Sequence, residues 1–256
     1  MSGAQYRDLR GQPVLITGGG AGIGAAMVEA FCAQGARVAA LEVNAASAAT
    51  TAEAIATRTG NRPTFAICDL RDIGAAQAAI SDLAAATGPF RTLVNNAGDD
   101  ERHAWDSVTP ALWDERFAVN LRHQFFCAQA VAAPMAAAGG GAIINLGSVS
   151  WMFGAAGMIA YTTAKAAVGG LTKSLARELG ALRIRVNCIA PGWVLTEKQV
   201  ARAQATDPGK FDAYLQRQCL KEHIAPADVA RLTLWLASEE SRRCTGQTFV
   251  LDAGVV

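Results

Sequence analysis

Short apolar runs alternate with helix-forming stretches along the whole of this chain, and few folds accommodate that pattern. The runs are Pro13–Thr17, Arg37–Glu42, Thr64–Cys68, Thr92–Asn95, Ala142–Leu146, Ile184–Ile189 and Phe249–Leu251. Between them the periodicity predicts helices over about 23–34, 45–58, 75–86, 111–138 and 159–179, and another opening at Pro226. Gly35 reads as a C-terminal helix stop and Pro226 as a first-turn proline. The runs are almost continuously apolar, as strands are when helices cover both faces of their sheet. Seven such strands with intervening helices predict an α/β fold: an open, doubly wound parallel sheet of Rossmann type. Gly139–Gly141 is a turn, because helix and strand signals resume on either side, so residues 1–256 form a single domain.

Charge and composition remove several classes. The 256 residues carry 23 basic and 22 acidic side chains, a formal net charge of +1. That balance provides no electrostatic footprint for nucleic acid or an anionic membrane. Hydrophobic residues at 51% and charged residues at 18% exclude a disordered or coiled-coil chain. No apolar run approaches the ~18 residues of a membrane span, and Met1–Asp8 lacks the apolar stretch of an export signal. A cytoplasmic protein is expected. Six cysteines stand far apart with no CxxC pair, and His103, His123 and His223 form no HExxH. Buried thiols in a reducing compartment, and no metal site, are expected.

In a sheet of this type ligands bind beyond the carboxyl ends of the strands. The first strand ends in Thr17-Gly18-Gly19-Gly20-Ala21-Gly22-Ile23-Gly24. Glycines there let the backbone turn tightly and approach a pyrophosphate, and the following helix offers free N–H groups to the anion. The second strand ends in Glu42, placed to accept hydrogen bonds from a ribose 2′-hydroxyl.

Further along, the chain resembles the short-chain dehydrogenase/reductase family. The glycine spacing is that family's TGxxxGIG, Cys68-Asp69-Leu70 resembles its turn against the adenine ring, and Asn95-Asn96-Ala97-Gly98 its NNAG segment. Asn120 falls at its helix asparagine. Ser148 precedes Tyr161-Thr-Thr-Ala-Lys165, its YxxxK, and Pro191-Gly192-Trp193-Val194-Leu195-Thr196 resembles its PG segment. The resemblance covers essentially the whole chain. It implies a dinucleotide held by Gly18, Gly22, Ile23, Gly24, Glu42, Asp69, Leu70, Asn96, Ala97, Gly98, Tyr161, Lys165, Pro191, Val194 and Thr196. It implies catalysis by Asn120, Ser148, Tyr161 and Lys165, with Asn120 holding a relay water, and mostly tetrameric relatives.

Residue chemistry supports those catalytic roles. A free tyrosine, pKa near ~10, is a poor base at neutral pH. Lys165 lies one helical turn on, where its charge favours the phenolate of Tyr161. Ser148 is placed to hydrogen-bond the reacting oxygen. NADP-using relatives commonly put Arg or Lys after the acidic strand end or before the second glycine of the turn. Here Val43 and Ala21 stand at those places. NAD is the expected cofactor.

For the substrate, the polar stretch Asp99, Asp100, Arg102 and His103 follows the strand end nearest the nicotinamide. With Trp113–Arg116, Val119–Phe126, Gly147–Trp151, Gln218–Lys221, Leu236–Glu239 and Cys244–Gln247 it resembles the aldose 1-dehydrogenase branch, of D-xylose type. Trp151, and Trp193 and Gln199 at the entrance of a segment near 196–220 that relatives use as a lid, are the other candidate sugar contacts. The expectation is oxidation of an aldose at its anomeric carbon to the lactone. Alternatives are a secondary-alcohol or ketone oxidoreductase, acting on a 3-oxoacyl thioester or keto-sugar acid, and an inactive dinucleotide sensor. Asp99 to His103 also read as a solvated loop, and Trp151 and Trp193 as packing residues.

The helix over about 111–138 is the candidate element for assembly. Trp113, Phe117, Leu121 and Phe125 form a stripe expected to cover the sheet. Arg116, Arg122 and Gln124, with Ala160, Ala164, Ala167 and Gly170, are expected to form a second packing face of a homotetramer. The apolar C-terminus is expected to pack against the core or a neighbouring subunit.

Overall fold

A computed structural model describes residues 3–207 and 209–256. Met1 and Ser2 of the N-terminal stretch, and Pro208 within the expected lid, lie outside the described residues.

Seven strands form one parallel sheet in the order β3-β2-β1-β4-β5-β6-β7. They are β1 (Pro13–Thr17), β2 (Arg37–Glu42), β3 (Thr64–Ile67), β4 (Thr92–Asn95), β5 (Gly141–Leu146), β6 (Ile184–Pro191) and β7 (Thr248–Leu251). The helices are α1 (Gly22–Ala33), α2 (Ala45–Thr59), α3 (Ile73–Thr87), α4 (Pro110–Phe117), α5 (His123–Ala137), α6 (Ile159–Leu179), α7 (Glu197–Thr206), α8 (Lys210–Arg217) and α9 (Pro226–Ala237). Strand order reverses between β1 and β4, which opens a crevice at their carboxyl ends.

Successive strand residues point to opposite faces, so β1 feeds two cores. Val14 and Ile16 join Phe31 of α1 and Val229 of α9 in one core. Leu15 joins Ile80 of α3, Val131 of α5 and Leu175 of α6 in the other. Phe31 and Leu15 are wholly buried, and each such side chain contributes about 1.5–3 kcal/mol over exposure.

Two expectations need correction. The helix over about 111–138 is broken: a five-residue π-turn, Ala118–Arg122, joins α4 to α5. The aromatic stripe also faces the other way. Arg116, Asn120 and Gln124 are buried, whereas Trp113, Phe117 and Leu121 are half-buried and Phe125 is 38% exposed. The polar side chains turn inward onto partners there, Arg116 onto Asp99, Asn120 onto the Asp99 backbone and Gln124 onto the carbonyls of Asn120 and Leu146. Ala160 and Ala164 likewise pack inward, while Ala167 and Gly170 are exposed. Arg122 is exposed and donates to the carbonyl of Arg71 at 2.7 Å. The C-terminus packs on its own chain: Asp252 accepts from the N–H groups of Gly254, Val255 and Val256.

No helix among the described residues is long and apolar enough to cross a membrane.

Candidate active site

The turn from β1 into α1 is shaped by what its glycines exclude. A Cβ on Gly24 would lie 1.8 Å from the Gly18 carbonyl oxygen, so only hydrogen fits there. Gly18 and Gly22 take positive φ of 67° and 54°, a region that glycine enters without strain. Helices α2 (Asn44), α3 (Asp72), α4 (Thr109) and α7 (Thr196) start on a side-chain cap, but α1 starts at Ala21 with none. Its first N–H groups therefore face the crevice unsatisfied by any side chain. That combination suits a diphosphate.

Glu42 lies over the same turn. Its Oε2 accepts from the Gly20 N–H at 2.8 Å and its Oε1 from those of Val43 and Asn44 at 2.9 and 3.1 Å. Ser47 and Thr51 of α2 both donate to the Gly20 carbonyl, at 2.6 and 2.7 Å. Neither hydroxyl was recognised from sequence, because their target is set only when β2 and α2 fold back onto the turn. Asp69 accepts from the Arg71 backbone and pairs with its guanidinium at 2.6 Å, which holds its carboxyl below the usual range. Leu70 is buried beside it.

Asn96 stitches the two central strand ends together. Its amide donates to the carbonyls of Thr17 and Gly18, and the Thr17 hydroxyl accepts from the N–H groups of Asn96 and Ala97. Gly98 is close to both Asn120 and Lys165: a Cβ there would meet Asn120 Oδ1 at 2.9 Å and Lys165 Nζ at 3.2 Å. Pro191 ends β6, Val194 is buried, and Thr196 caps α7 while its methyl group packs over Gly22. Ile23 is half-buried against the α1–α9 core.

Ser148, Tyr161 and Lys165 converge beside Gly98. The Ser148 hydroxyl stands close enough to the Tyr161 phenol to pull its pKa downward and accepts from the Ser150 N–H at 3.1 Å. Burial pushes the phenol up to about 12, against which Ser148 and the Arg102 cation work downward. Lys165 was expected to supply that downward pull, but its buried ammonium stands 5.8 Å from the tyrosine ring centroid and donates to the Leu146 carbonyl at 2.8 Å. A buried ammonium needs an acceptor, and this carbonyl provides it. Burial lowers Lys165 to about 8. Asn120 sits on the π-turn, accepting from the Asp99 N–H at 2.9 Å and donating to the carbonyls of Asp99 and Arg116 at 3.0 Å each.

The expected substrate residues divide. Asp99 is engaged by Arg116 at 2.6 Å and Lys198 at 3.2 Å, and Asp100 by Arg202 at 2.9 Å and Gln199 at 2.8 Å. His103 Nε2 accepts from the Ala160 N–H at 3.4 Å and the His103 backbone N–H donates to the Gly157 carbonyl, which seats the start of α6. Trp193 stacks on Phe211 with centroids 5.3 Å apart and donates to Gln199, so one face of its ring is covered. Trp151 is 42% exposed. Arg102, exposed yet close enough to Tyr161 to act on its charge, has no hydrogen-bond or ion-pair partner among the described residues.

Polar residues whose contacts the sequence did not disclose lie behind these. Asn95, Gln124, Asn145 and Thr172 are buried and hydrogen-bonded into one chain: Asn95 to Asn145 at 2.9 Å, Asn145 to Thr172 at 3.0 Å, and Gln124 to the carbonyls of Asn120 and Leu146. His123 Nε2 lies 3.1 Å from the Ala97 carbonyl. Burial lowers this imidazole to about 3, so it is neutral and donates there.

A family model described as enoyl-(acyl carrier protein) reductase matches residues 18–256. The chain is 46% identical over 252 residues to a probable galactose dehydrogenase of Rhizobium meliloti (strain 1021), with 98% of each covered. This chain belongs to the short-chain dehydrogenase/reductase family. It is 45% identical over 254 residues to D-xylose 1-dehydrogenase of Caulobacter vibrioides (strain NA1000 / CB15N), with 99% of each covered. A short-chain dehydrogenase/reductase from Serratia marcescens BCRC 10948 superposes with a TM-score of 0.88 at 31% identity, over 97% of this chain and 99% of that one. A 3-oxoacyl (acyl-carrier-protein) reductase from Agrobacterium tumefaciens C58, solved with NADP bound, gives a TM-score of 0.89 at 29% identity over 97% and 96%. As a member of the family the chain is an oxidoreductase whose fold binds a nicotinamide dinucleotide.

Proposed function

We propose that this short-chain dehydrogenase oxidises an aldose at its anomeric carbon with NAD, releasing the aldonolactone. The observation that carries the reading is the near full-length identity, 46% and 45%, with two relatives named for aldoses. The polar mouth around Arg102, Asp100 and Gln199 suits a polyhydroxyl substrate and not a long acyl chain. Tyr161, as phenolate, takes the proton of the anomeric hydroxyl, and Ser148 donates a hydrogen bond to the same oxygen. The bound nicotinamide supplies the hydride acceptor. Lys165 and the NNAG segment hold the cofactor's ribose side, and Arg102 opposes the charge of the phenolate and contacts the sugar. Asn120, on its π-turn, serves the path by which the proton leaves.

Glu42 supports NAD. Its carboxylate occupies the end of β2 and takes three backbone N–H groups there, so a 2′-phosphate would meet a negative charge with no basic residue at Ala21 or Val43. A second reading, a ketone or secondary-alcohol oxidoreductase, is favoured by the description of the family model. NADH formation across a panel of aldoses, alcohols and sugar acids decides: silence on every aldose with response to a secondary alcohol replaces the first reading by the second. A kcat/KM higher with NADP than with NAD overturns the cofactor assignment.

We also propose a homotetramer. The outward stripe on α4 and α5 lines an open groove of about 610 Å³ with Ala167 and Leu171 of α6, and a second copy is its occupant. The edge strand β7, where Val250 is 43% exposed, offers a second contact. The six free thiols fit a reducing cytoplasm.

A further inference from the structure

Helix α7 lies across the crevice with almost no apolar anchorage of its own. Ala203 is its one buried residue, and α8 buries none. The segment is tied down at its two ends by other means. At its start, Thr196 caps α7 and rests on Gly22 of the phosphate turn. At its far end, Cys219 and Leu220 donate their N–H groups to the Ala253 carbonyl of the C-terminal tail. Helix α8 is held by aromatic contacts, Phe211 stacked on Trp193 and Tyr214 edge-on to the same ring.

Between those anchors α7 is held by charge. Lys198, Gln199 and Arg202 lie on its first two turns, and all three reach the same dipeptide. Lys198 meets Asp99 at 3.2 Å, while Gln199 and Arg202 converge on one oxygen of Asp100 at 2.8 and 2.9 Å. Asp99 has a second, buried partner in Arg116 at 2.6 Å. Burial works against both carboxylates, yet their partners outweigh it and hold both below the ordinary range. The two nodes are unequal. Lys198 is largely exposed, and such pairs are weak and screened by salt. The Asp100 side chain is 20% exposed and Arg202 27%, and Gln199 adds a neutral hydrogen bond, so this node is the stronger. The same loop reaches the chemistry, because both backbone groups of Asp99 are bonded to the side chain of Asn120.

We propose that Asp99 and Asp100 are positioning residues that latch α7 over the dinucleotide crevice, and that opening this latch governs how fast the dinucleotide leaves. Thr196 on Gly22 places the hinge of the latched helix directly over the turn that receives the diphosphate. Release therefore requires α7 to swing away, which breaks the Asp100–Arg202 and Asp100–Gln199 contacts together. The aromatic contacts of α8 stay intact in that motion. The proposal concerns dinucleotide retention and does not depend on which sugar is oxidised.

The test uses the intact chain with two variants, Asp100→Asn and Arg202→Met, and Lys173→Met on the exposed side of α6 as a control for loss of one charge. Amide hydrogen exchange is read over 197–206, with α9 as internal reference, and NADH release is timed by fluorescence after dilution. Both latch variants should exchange ~fivefold faster across α7 while α9 is unchanged, and should release NADH ~threefold faster or more. Lys173→Met should do neither. The proposal is overturned if α7 exchange and NADH release match the parent chain in both latch variants, or if the control shifts them equally.

Discussion

Tyr161 and Lys165 are both driven towards their neutral forms by the pocket they share, the phenol up to about 12 and the ammonium down to about 8. Oxidation needs the phenolate, so kcat/KM for the forward reaction should climb with pH from 6 to 9 without a plateau, roughly tenfold per unit at most. A flat profile would exclude Tyr161 as the base. Tyr161→Phe keeps the ring but removes the acceptor, so turnover should fall by ~10² or more while the dinucleotide still binds. His123 makes a separate prediction about stability. Its folded value, about 3, lies below the unfolded ~6.5, so protons bind the unfolded chain preferentially between those limits. Stability is then full above ~6.5 and falls as pH drops, by as much as ~1.4 kcal/mol per unit from this group. Urea midpoints from pH 7 to 5 should decline less steeply in His123→Gln than in the parent. These pKa values were out of reach of the sequence: the Ala97 carbonyl that meets His123 lies 26 positions away, and the burial of both is set by the fold.

The glycine turn between β1 and α1 shows how much one element can reveal in advance. Its glycines, the strand before it and the helix after it were all legible, because each is a local signal. What the spacing did not disclose is that Gly24 faces the Gly18 carbonyl at a distance that excludes any Cβ. Gly24→Ala must therefore open the turn. Dinucleotide binding, read by fluorescence titration, should weaken at least ~10-fold, with unfolding at lower temperature than the parent. If Gly24→Ala binds normally, the turn is not the phosphate site. The helix after β4 was the less legible element. Apolar periodicity marked a stripe of Trp113, Phe117, Leu121 and Phe125, and an unbroken helix would have buried it. The π-turn at Ala118–Arg122 instead aims Asn120 at Asp99 and gives Gln124 two buried carbonyls. A π-turn has no composition signature, since it is stabilised by the bonds it makes possible in the folded state.

At the scale of the molecule, the outward aromatic stripe is the feature a monomer would least tolerate. Light scattering at micromolar concentration should give four chain masses, and Phe117→Glu, on the groove wall, should shift it towards smaller species. One chain mass with full activity would remove the tetramer. The fold class and the seven strands were readable from the chain alone, as was the spacing that sets Lys165 one helical turn beyond Tyr161. Strand burial, turn chemistry and one-turn helix spacing are properties of neighbours in sequence. The polar loop after Gly98 was readable as a sugar-contact or solvated stretch, without its partners. Its contacts are made by residues far along the chain: Lys198, Gln199 and Arg202 engage Asp99 and Asp100, His103 meets the start of α6, and Arg102 stands near enough to Tyr161 to act on its charge. A carboxylate's partner is chosen by which cation the tertiary fold brings within 3 Å or so, and no local pattern records that.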